Sequence, residues 1–354
     1  MATLQLEHYN IEIGPIGEAH FQWLADQQFA GIAVLTDSNT AQHCCPIVEA
    51  GLAKFNPTYI EVPAGEQHKT IETSQYIWEQ LFQAGAGRNW CVLNLGGGVI
   101  GDMGGFCAGT FKRGIDFIQV PTTLLSQVDA SVGGKLGIDF FGVKNSVGLF
   151  RDPRAVWADP RFFHTLSDRE LRSGFAEIIK HALIADAQQW NELQSMTTLS
   201  EVDWTNWVAR SVAIKQQIVA EDPMEKGLRK ALNFGHTIGH AIESYFLETD
   251  TPLLHGEAIA AGMICEAWLS AEVLGLSSTE LEQITSYFLT LYGHQTIPMN
   301  ESETLLATMR QDKKNEDSRI NFSLLPSIGA VEVNQTASPE LILKSMEFYN
   351  ESGR

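Results

Sequence analysis

Positive charge is scarce in this sequence: 24 Lys and Arg stand against 43 Asp and Glu among 354 residues, a formal net charge of -19. A nucleic-acid surface needs clustered Lys and Arg to meet the phosphate backbone, so the balance argues against that partner. Paired cysteines are lacking as well. Cys44, Cys45, Cys91, Cys107 and Cys265 are odd in number and form no CxxC, which indicates neither a disulfide framework nor a thiolate zinc site. No stretch reaches the roughly 18 uninterrupted apolar residues of a membrane span. The opening MATLQLEHYNIEIG has no basic segment leading into an apolar run. The expectation is a cytoplasmic protein with no membrane partner, and no internal repeat or low-complexity segment interrupts it.

What is present is a chain that is 44% hydrophobic and long enough to bury a large core, more readily as two domains than one. The first half alternates β-like runs (GIAVLTDS at 31 to 38, YIEVP at 59 to 63, WCVLNLGGG from 90) with amphipathic stretches, the rhythm of β-α-β units and a parallel sheet. From about Leu166 that punctuation fades. Stretches such as ELRSGFAEIIKHALIADAQQWNELQ carry apolar residues at three- and four-residue spacing, and this half reads as helical. The prolines and polar residues of DPRFFHTLSD mark the boundary, which divides the chain into 1–165 and 166–354.

Asp37 and Asn39 fall where one apolar run ends, and Gly96-Gly97-Gly98 where another does, the place where open α/β sheets put ligand loops. The run Gly96 to Asp102 lets backbone N–H groups face a pyrophosphate without side-chain obstruction, so a dinucleotide is the natural occupant. The spacing is not GxGxxG, and a glycine cluster alone is as often a tight turn or close helix packing. A second cluster follows, with Pro121-Thr122-Thr123, Asp129, Gly133-Gly134-Lys135 and Lys144-Asn145. Most lysines in proteins are solvated surface charges. Here they are few, and several sit inside glycine-rich, otherwise apolar segments, which suits a phosphorylated ligand.

Three later segments supply metal ligands: GFAEIIKHA with Glu177, NFGHTIGHAIE with His236 and His240, and LLHGEA with His255. Two imidazoles and a carboxylate suffice for catalytic zinc with an open position. His236 and His240 are four apart on an expected helix, so both can reach one metal, and spacing leaves the choice between His240 and His255 open. A lone histidine is usually a core or capping residue; three such segments together favour a site. His43, His164 and His181 have no such company and read as structural or surface residues.

Taken in order, GEQHKT, GGGVIGDMGGFCAGTFKRGI, QVPTTLLSQVDASVGGKLGID, KNSVG, SGFAEIIKHALI, LNFGHTIGHAIE, LLHGEAIAAGM and the late DKKN resemble the 3-dehydroquinate synthase family from about residue 31 to 325. The resemblance implies a Rossmann-like α/β N-terminal domain with a parallel sheet, an all-α C-terminal domain, an active site in the cleft between them, and a homodimer. It implies NAD contacts at Asp37, Asn39, Glu66, Lys69, Gly97, Gly98, Val99, Asp102, Thr122 and Thr123, with Lys135 and Lys144 beside them. The implied ligands of zinc, or of cobalt in its place, are Glu177, His236 and His255, which moves His240 to the substrate. The other implied substrate contacts are Arg113, Asp129, Lys135, Lys144, Asn145, Lys180, Lys215, Arg229, Asn233 and one of the Lys313-Lys314 pair, taken as Lys313. Arg113 is also implied to reach a neighbouring subunit's site.

The implied reaction is that of a phosphorus–oxygen lyase of the shikimate pathway, which leads to chorismate and the aromatic amino acids. The substrate, the sugar acid phosphate 3-deoxy-D-arabino-heptulosonate 7-phosphate, becomes 3-dehydroquinate and phosphate. Its stages are transient oxidation at C5, phosphate elimination, re-reduction, ring opening and intramolecular aldol closure. Lys135, Lys144, Asn145, His240 and Arg113 are suited to the phosphate, and Arg229 with Lys215 and Asn233 to the carboxylate and ring hydroxyls. Two stretches depart from the family pattern: SVGLFRDPRAVW after Asn145, where many members have a Gly-Ala-Phe-His-Gln-Pro-like turn, and the glycine-free NEDSRINFSLL. The rival readings are an NAD- and metal-dependent polyol or glycerol phosphate dehydrogenase, a sister sugar phosphate cyclase, and a catalytically dead NAD-binding regulator.

Overall fold

The computed structural model describes the chain apart from Gly142, Ser200, Glu201, Glu248, residues 312–319 and Arg354. Its strands are β1 (Ala2–Gln5), β2 (Asn10–Ile13), β3 (Gly31–Asp37), β4 (Thr58–Val62), β5 (Trp90–Gly96), β6 (Asp116–Pro121), β7 (Lys135–Phe140), β8 (Val143–Phe150), β9 (Ala155–Ala158), β10 (Asn321–Ser327) and β11 (Ala330–Thr336). Its α-helices are α1 (Glu18–Asp26), α2 (Ser38–His43), α3 (Cys45–Leu52), α4 (Ile71–Gln83), α5 (Gly98–Thr110), α6 (Asp168–Ala185), α7 (Ala187–Leu193), α8 (Trp204–Glu221), α9 (His236–Leu247), α10 (His255–Leu274), α11 (Ser278–Tyr292), α12 (Ser302–Gln311) and α13 (Pro339–Ser352). Two compact units result: Met1–Ser167 with Asp203–Gln216, and Asp168–Val202 with Gln217–Arg354. Among the described residues no helix is long and apolar enough to cross a membrane.

The first unit is built on a seven-stranded sheet of order β1-β2-β9-β6-β5-β3-β4. Only β1 and β2 pair antiparallel; the other pairs are parallel. The apolar runs read as strands are β3, β4 and β5; β3 and β5 are buried nearly throughout by cores on both faces of the sheet, whereas β4, at the sheet edge, alternates buried and exposed residues. Asn94 pairs with Gln119 and Gly96 with Pro121, so β5 and β6 end level. The segment 135–150 forms the antiparallel hairpin β7–β8. Leu136 and Ile138 anchor it to the core that contains α5.

The second unit is helical, with one addition: β10 and β11 form a hairpin. Its alternation is interrupted by Pro326 and register shifts, which hides it from a periodicity test. At the centre lies α10, thirteen of whose twenty residues are buried. It crosses α6 closely enough that a Cβ on Gly256 would lie 2.0 Å from the Ser173 carbonyl oxygen. The Gly256 N–H donates to Ser173 Oγ at 2.9 Å. One turn beyond Ser173 is Glu177, and next to Gly256 is His255, so this crossing brings acid and imidazole together. Gly256→Ala is expected to lower the unfolding free energy by about 1–3 kcal/mol through overpacking, against the ~1 kcal/mol by which Ala is the better helix former. Urea denaturation reads the difference.

Candidate functional site

The first unit gathers three loops at the carboxyl ends of the adjacent parallel strands β3, β5 and β6, the place where open α/β sheets bind ligands. After β3, Asp37 Oδ1 accepts from the N–H groups of Asn39 and Thr40, both at 2.9 Å, and so starts α2. After β5, Gly97 stands at the N-cap of α5, and no side chain caps that helix. The first N–H groups of α5, at Gly98 and Val99, therefore open onto the loop, as a pyrophosphate requires. After β6, the Thr122 N–H donates to the Gly96 carbonyl at 2.9 Å. A Cβ on Gly97 would stand 3.2 Å from Thr123 Cγ2, so the two loops touch. The glycines further along α5 serve packing: a Cβ on Gly104 would lie 2.1 Å from Asn94 Oδ1.

Lys69 ties this edge to the hairpin. Its Nζ donates to Asp102 Oδ2 at 2.7 Å and to Asn145 Oδ1 at 2.6 Å, with Glu66 3.9 Å away. Burial works against its charge, but Asp102 and Glu66 outweigh it and hold the ammonium pKa above its ordinary value. The Asn145 N–H donates to Asp139 Oδ1 at 2.7 Å, which helps fix Asn145 at a positive φ of 50°. In the same unit Lys215 Nζ donates to Asp129, to Oδ1 at 2.5 Å and to the carbonyl at 2.6 Å, on the π-helical turn Ser126–Ala130. Lys135 and Arg113 are exposed and Lys144 is half-buried. None of these pairings is visible in residue spacing, because each joins different elements.

The metal-ligand candidates lie in the second unit. Glu177 on α6, His236 on α9 and His255 on α10 bring one donor atom each to within 4.8 Å of the others. Both Nε2 atoms are 3.4 Å from Glu177 Oε1. The outer nitrogens are engaged elsewhere: His236 Nδ1 meets the Phe234 carbonyl at 3.0 Å, and His255 Nδ1 meets Glu243 Oε2 at 3.4 Å. A carbonyl only accepts, so His236 carries its proton on Nδ1 and presents a lone pair at Nε2. Burial and the Lys180 ammonium push this imidazole down to about 3, so it is neutral. Burial opposes charge on Glu177, but Lys180 and then His236 hold the carboxyl well below the usual range. Against burial, Glu177 and Glu243 carry His255 up to about 10.

Both Glu177 oxygens are buried without a hydrogen bond of good geometry, although Lys180 forms an ion pair with Oε2. An unprotonated imidazole nitrogen beside a carboxylate oxygen is unfavourable unless a cation joins them. A tetrahedral ion with ligands at about 2.0–2.2 Å separates its donor atoms by about 3.3–3.5 Å. The donor set therefore fits a divalent cation, with Glu243 and the Phe234 carbonyl as the outer partners that such imidazoles need. His240 also belongs to a cluster, with Glu243 and His255. Glu243 was not singled out from the sequence, yet 236, 240 and 243 share one helix face, a signal that was there to use.

Arg229 is buried and donates from Nη1 to the Pro223 carbonyl at 2.6 Å, while Asn233 Nδ2 donates to Glu225 Oε1 at 3.1 Å. Lys313 lies outside the described residues. His181 is fully buried on α6. A cavity of about 420 Å³ in the helical unit, lined by Arg169, Glu257, Phe288, Tyr292, His294 and Tyr349 among others, contains none of the expected site residues.

Residues 59–173 match the family profile described as 3-dehydroquinate synthase N-terminal, and residues 174–315 the one described as 3-dehydroquinate synthase C-terminal. The chain belongs to the 3-dehydroquinate synthase family. The 3-dehydroquinate synthase of Parabacteroides distasonis is 43% identical over 336 residues, 93% of this chain and 94% of the relative. That of Bartonella quintana is 38% identical, covering 96% and 94%. Among solved structures, 2-deoxy-scyllo-inosose synthase in complex with carbaglucose-6-phosphate, NAD+ and Co2+ superposes with a TM-score of 0.85 at 26% identity, over 98% of this chain and all of that one. The 2-epi-5-epi-valiolone synthase of Streptomyces hygroscopicus, at 24% identity and a TM-score of 0.87 over 99% of each chain, shares the fold.

Replacing a donor of the Glu177, His236 and His255 cluster tests the metal reading directly. His255→Ala and Glu177→Gln are each expected to leave the protein folded by circular dichroism and to cut bound zinc, measured by elemental analysis after dialysis, from about one ion per chain to a small fraction.

Proposed function

We propose that this protein converts 3-deoxy-D-arabino-heptulosonate 7-phosphate to 3-dehydroquinate and phosphate, using NAD and a divalent cation, zinc or cobalt, and that it acts in the cytoplasm as a homodimer. Residues 1–165 bind the nucleotide, and 166–354 the metal and substrate. The observation that carries this reading is the Glu177, His236 and His255 donor set, with Glu177 and His236 buried and His255 half-buried, in a family member 43% identical to a 3-dehydroquinate synthase over nearly its whole length. The NAD+ and Co2+ held by 2-deoxy-scyllo-inosose synthase support the cofactors.

In this reading Glu177, His236 and His255 hold the cation, and the loops after β3, β5 and β6 hold NAD, with Asp37, Asn39, Glu66, Lys69, Gly97, Gly98, Val99, Asp102, Thr122 and Thr123 around it. Held there, the cation would supply Lewis acidity toward the carbinol of the substrate, and NAD a reversible hydride acceptor. The chain's own groups bind and orient. Lys135, Lys144, Asn145, His240 and Arg113 grip the phosphate, so that charge growing on the leaving group meets cations already in place. Lys69 keeps Asn145 aimed, since its Nζ bonds both Asn145 and Asp102. Arg229 offers a planar fork to the carboxylate, and Lys215 and Asn233 are suited to the carboxylate and ring hydroxyls. Asp129 restrains Lys215, and Lys180 balances the Glu177 charge. Lys313 is the further substrate contact.

Purified protein given the heptulosonate phosphate and NAD is expected to release phosphate with no lasting NADH. A chelator should abolish the release, and Zn2+ or Co2+ should restore it. Stoichiometric NADH without phosphate would instead identify a polyol or glycerol phosphate dehydrogenase, a class whose fold neighbours include glycerol dehydrogenase from Schizosaccharomyces pombe at 14% identity and a TM-score of 0.62. Preferential turnover of a sugar phosphate without a carboxylate would indicate a sister cyclase.

The homodimer is supported by the β7–β8 hairpin, where Phe140, Phe141, Val143, Val147 and Phe150 are exposed, Phe141 at 90%. Isolated exposed apolar residues are ordinary, but five on one short hairpin are a concentration that an interface would cover. The double variant Phe141→Asp/Phe150→Asp is expected to run as a monomer in light scattering, where the parent runs as a dimer.

A further inference from the structure

The helix that presents His236 has no cap of its own. Its first residue is His236 itself, and the preceding Gly235, at a φ of 80°, has no side chain to bond the open N–H groups. Another helix does that work. Glu266, three turns beyond His255 on α10 and fully buried, accepts the Gly235 N–H on Oε2 at 2.7 Å and the Ile238 N–H on Oε1 at 3.1 Å. The backbones meet tightly at the same point. A Cβ on Gly262, one turn before Glu266, would lie 2.1 Å from the Gly235 carbonyl oxygen, and one on Gly235 would lie 2.2 Å from Met263 Cγ.

We propose that Glu266 is a positioning residue for the metal centre: it clamps the start of α9 onto α10, and so fixes His236 against His255 before any ion binds. The proposal rests on the metal reading above. Two physical effects act together. A buried carboxylate is tolerated only when it is well hydrogen-bonded, so its two acceptors define where the Gly235 and Ile238 amides must be, and His236 lies between those residues. A helix N-terminus also carries partial positive charge, which is unfavourable next to a cation held by the first residue of that helix; a carboxylate bonded to two of its N–H groups offsets that charge. A cap that served stability alone would not change the affinity of the site for an ion.

Metal-free, full-length protein titrated with Co2+ separates the two roles, with affinity taken from competition against a chelator and geometry from visible absorption. Glu266→Gln loses one acceptor and the charge, and is expected to weaken Co2+ binding by about 10- to 100-fold, as removal of outer-shell partners does. Excess Co2+ should restore its spectrum. Ser270→Ala serves as the stability control. Ser270 Oγ bonds the Glu266 carbonyl at 2.6 Å and accepts the Leu325 N–H at 2.9 Å, but neither contact involves Gly235 or Ile238. That variant is expected to lower Tm and leave the Co2+ affinity unchanged.

Unchanged affinity in Glu266→Gln overturns the proposal alone, as does an equal loss in Ser270→Ala. Failure of the parent protein to bind Co2+ overturns this proposal and the metal reading together. If Glu266→Gln does not fold, hydrogen exchange on the parent decides: the Gly235 and Ile238 amides should be as protected in chelator as with Zn2+. Rapid exchange of both in the metal-free protein overturns the clamp.

Discussion

An unprotonated imidazole nitrogen and a carboxylate oxygen, both electron-rich and both withdrawn from water, repel one another unless positive charge stands beside them. That constraint governs the helical unit. Glu177 is fully buried, and Lys180 on the same helix supplies one compensating charge. The lone pair of His236 stays directed at it because the Phe234 carbonyl claims the other nitrogen. Such an arrangement is a poor way to stabilise a fold, since breaking a buried charge cluster is costly and replacing it with apolar side chains often is not. Its persistence in a well-packed helical unit is intelligible when a divalent cation completes it.

The packing around the centre follows from the same need for fixed donor positions. The helix α10 carries His255 at its start, meets α6 through Gly256 and Ser173, and meets the start of α9 through Gly262 and Gly235. Small residues at both crossings let helix backbones approach where side chains would hold them apart. Each crossing lies within about a turn of a donor residue, so the donors inherit the rigidity of the backbone contact rather than depending on long, mobile side chains. In the sheet unit, level strand ends and touching loops do the equivalent work for Asp37, Gly97 and Thr123, and Lys69 extends that order into the β7–β8 hairpin.

Much of this could be read along the chain. Apolar runs marked β3, β4 and β5, and in β3 and β5 they are continuous because strands covered on both faces need no polar alternation. Three- and four-residue spacing marked the helices, and the order of short motifs marked the family. The hairpins β7–β8 and β10–β11 escaped for a physical reason. In the first, glycines and charges break the alternation, and burial comes from α5; in the second, Pro326 and register shifts break the pattern.

Residue types and their order along the chain determined which chemistry is available: a glycine turn after a strand, cations scattered through a glycine-rich segment, and an acid and histidines at helical spacing. Tertiary structure alone decided which of them meet. Whether His240 or His255 joins His236 beside Glu177 is not a property of spacing, since four residues along one helix and nineteen along the chain are equally compatible with a shared ion. The close crossing of α6 and α10 decides it, by bringing His255 Nε2 to 3.4 Å from the carboxylate. The same holds for Lys69 with Asn145, Lys215 with Asp129, and Glu266 with Gly235. Each pair is far apart in sequence and brought together by packing, a relation that no local pattern records.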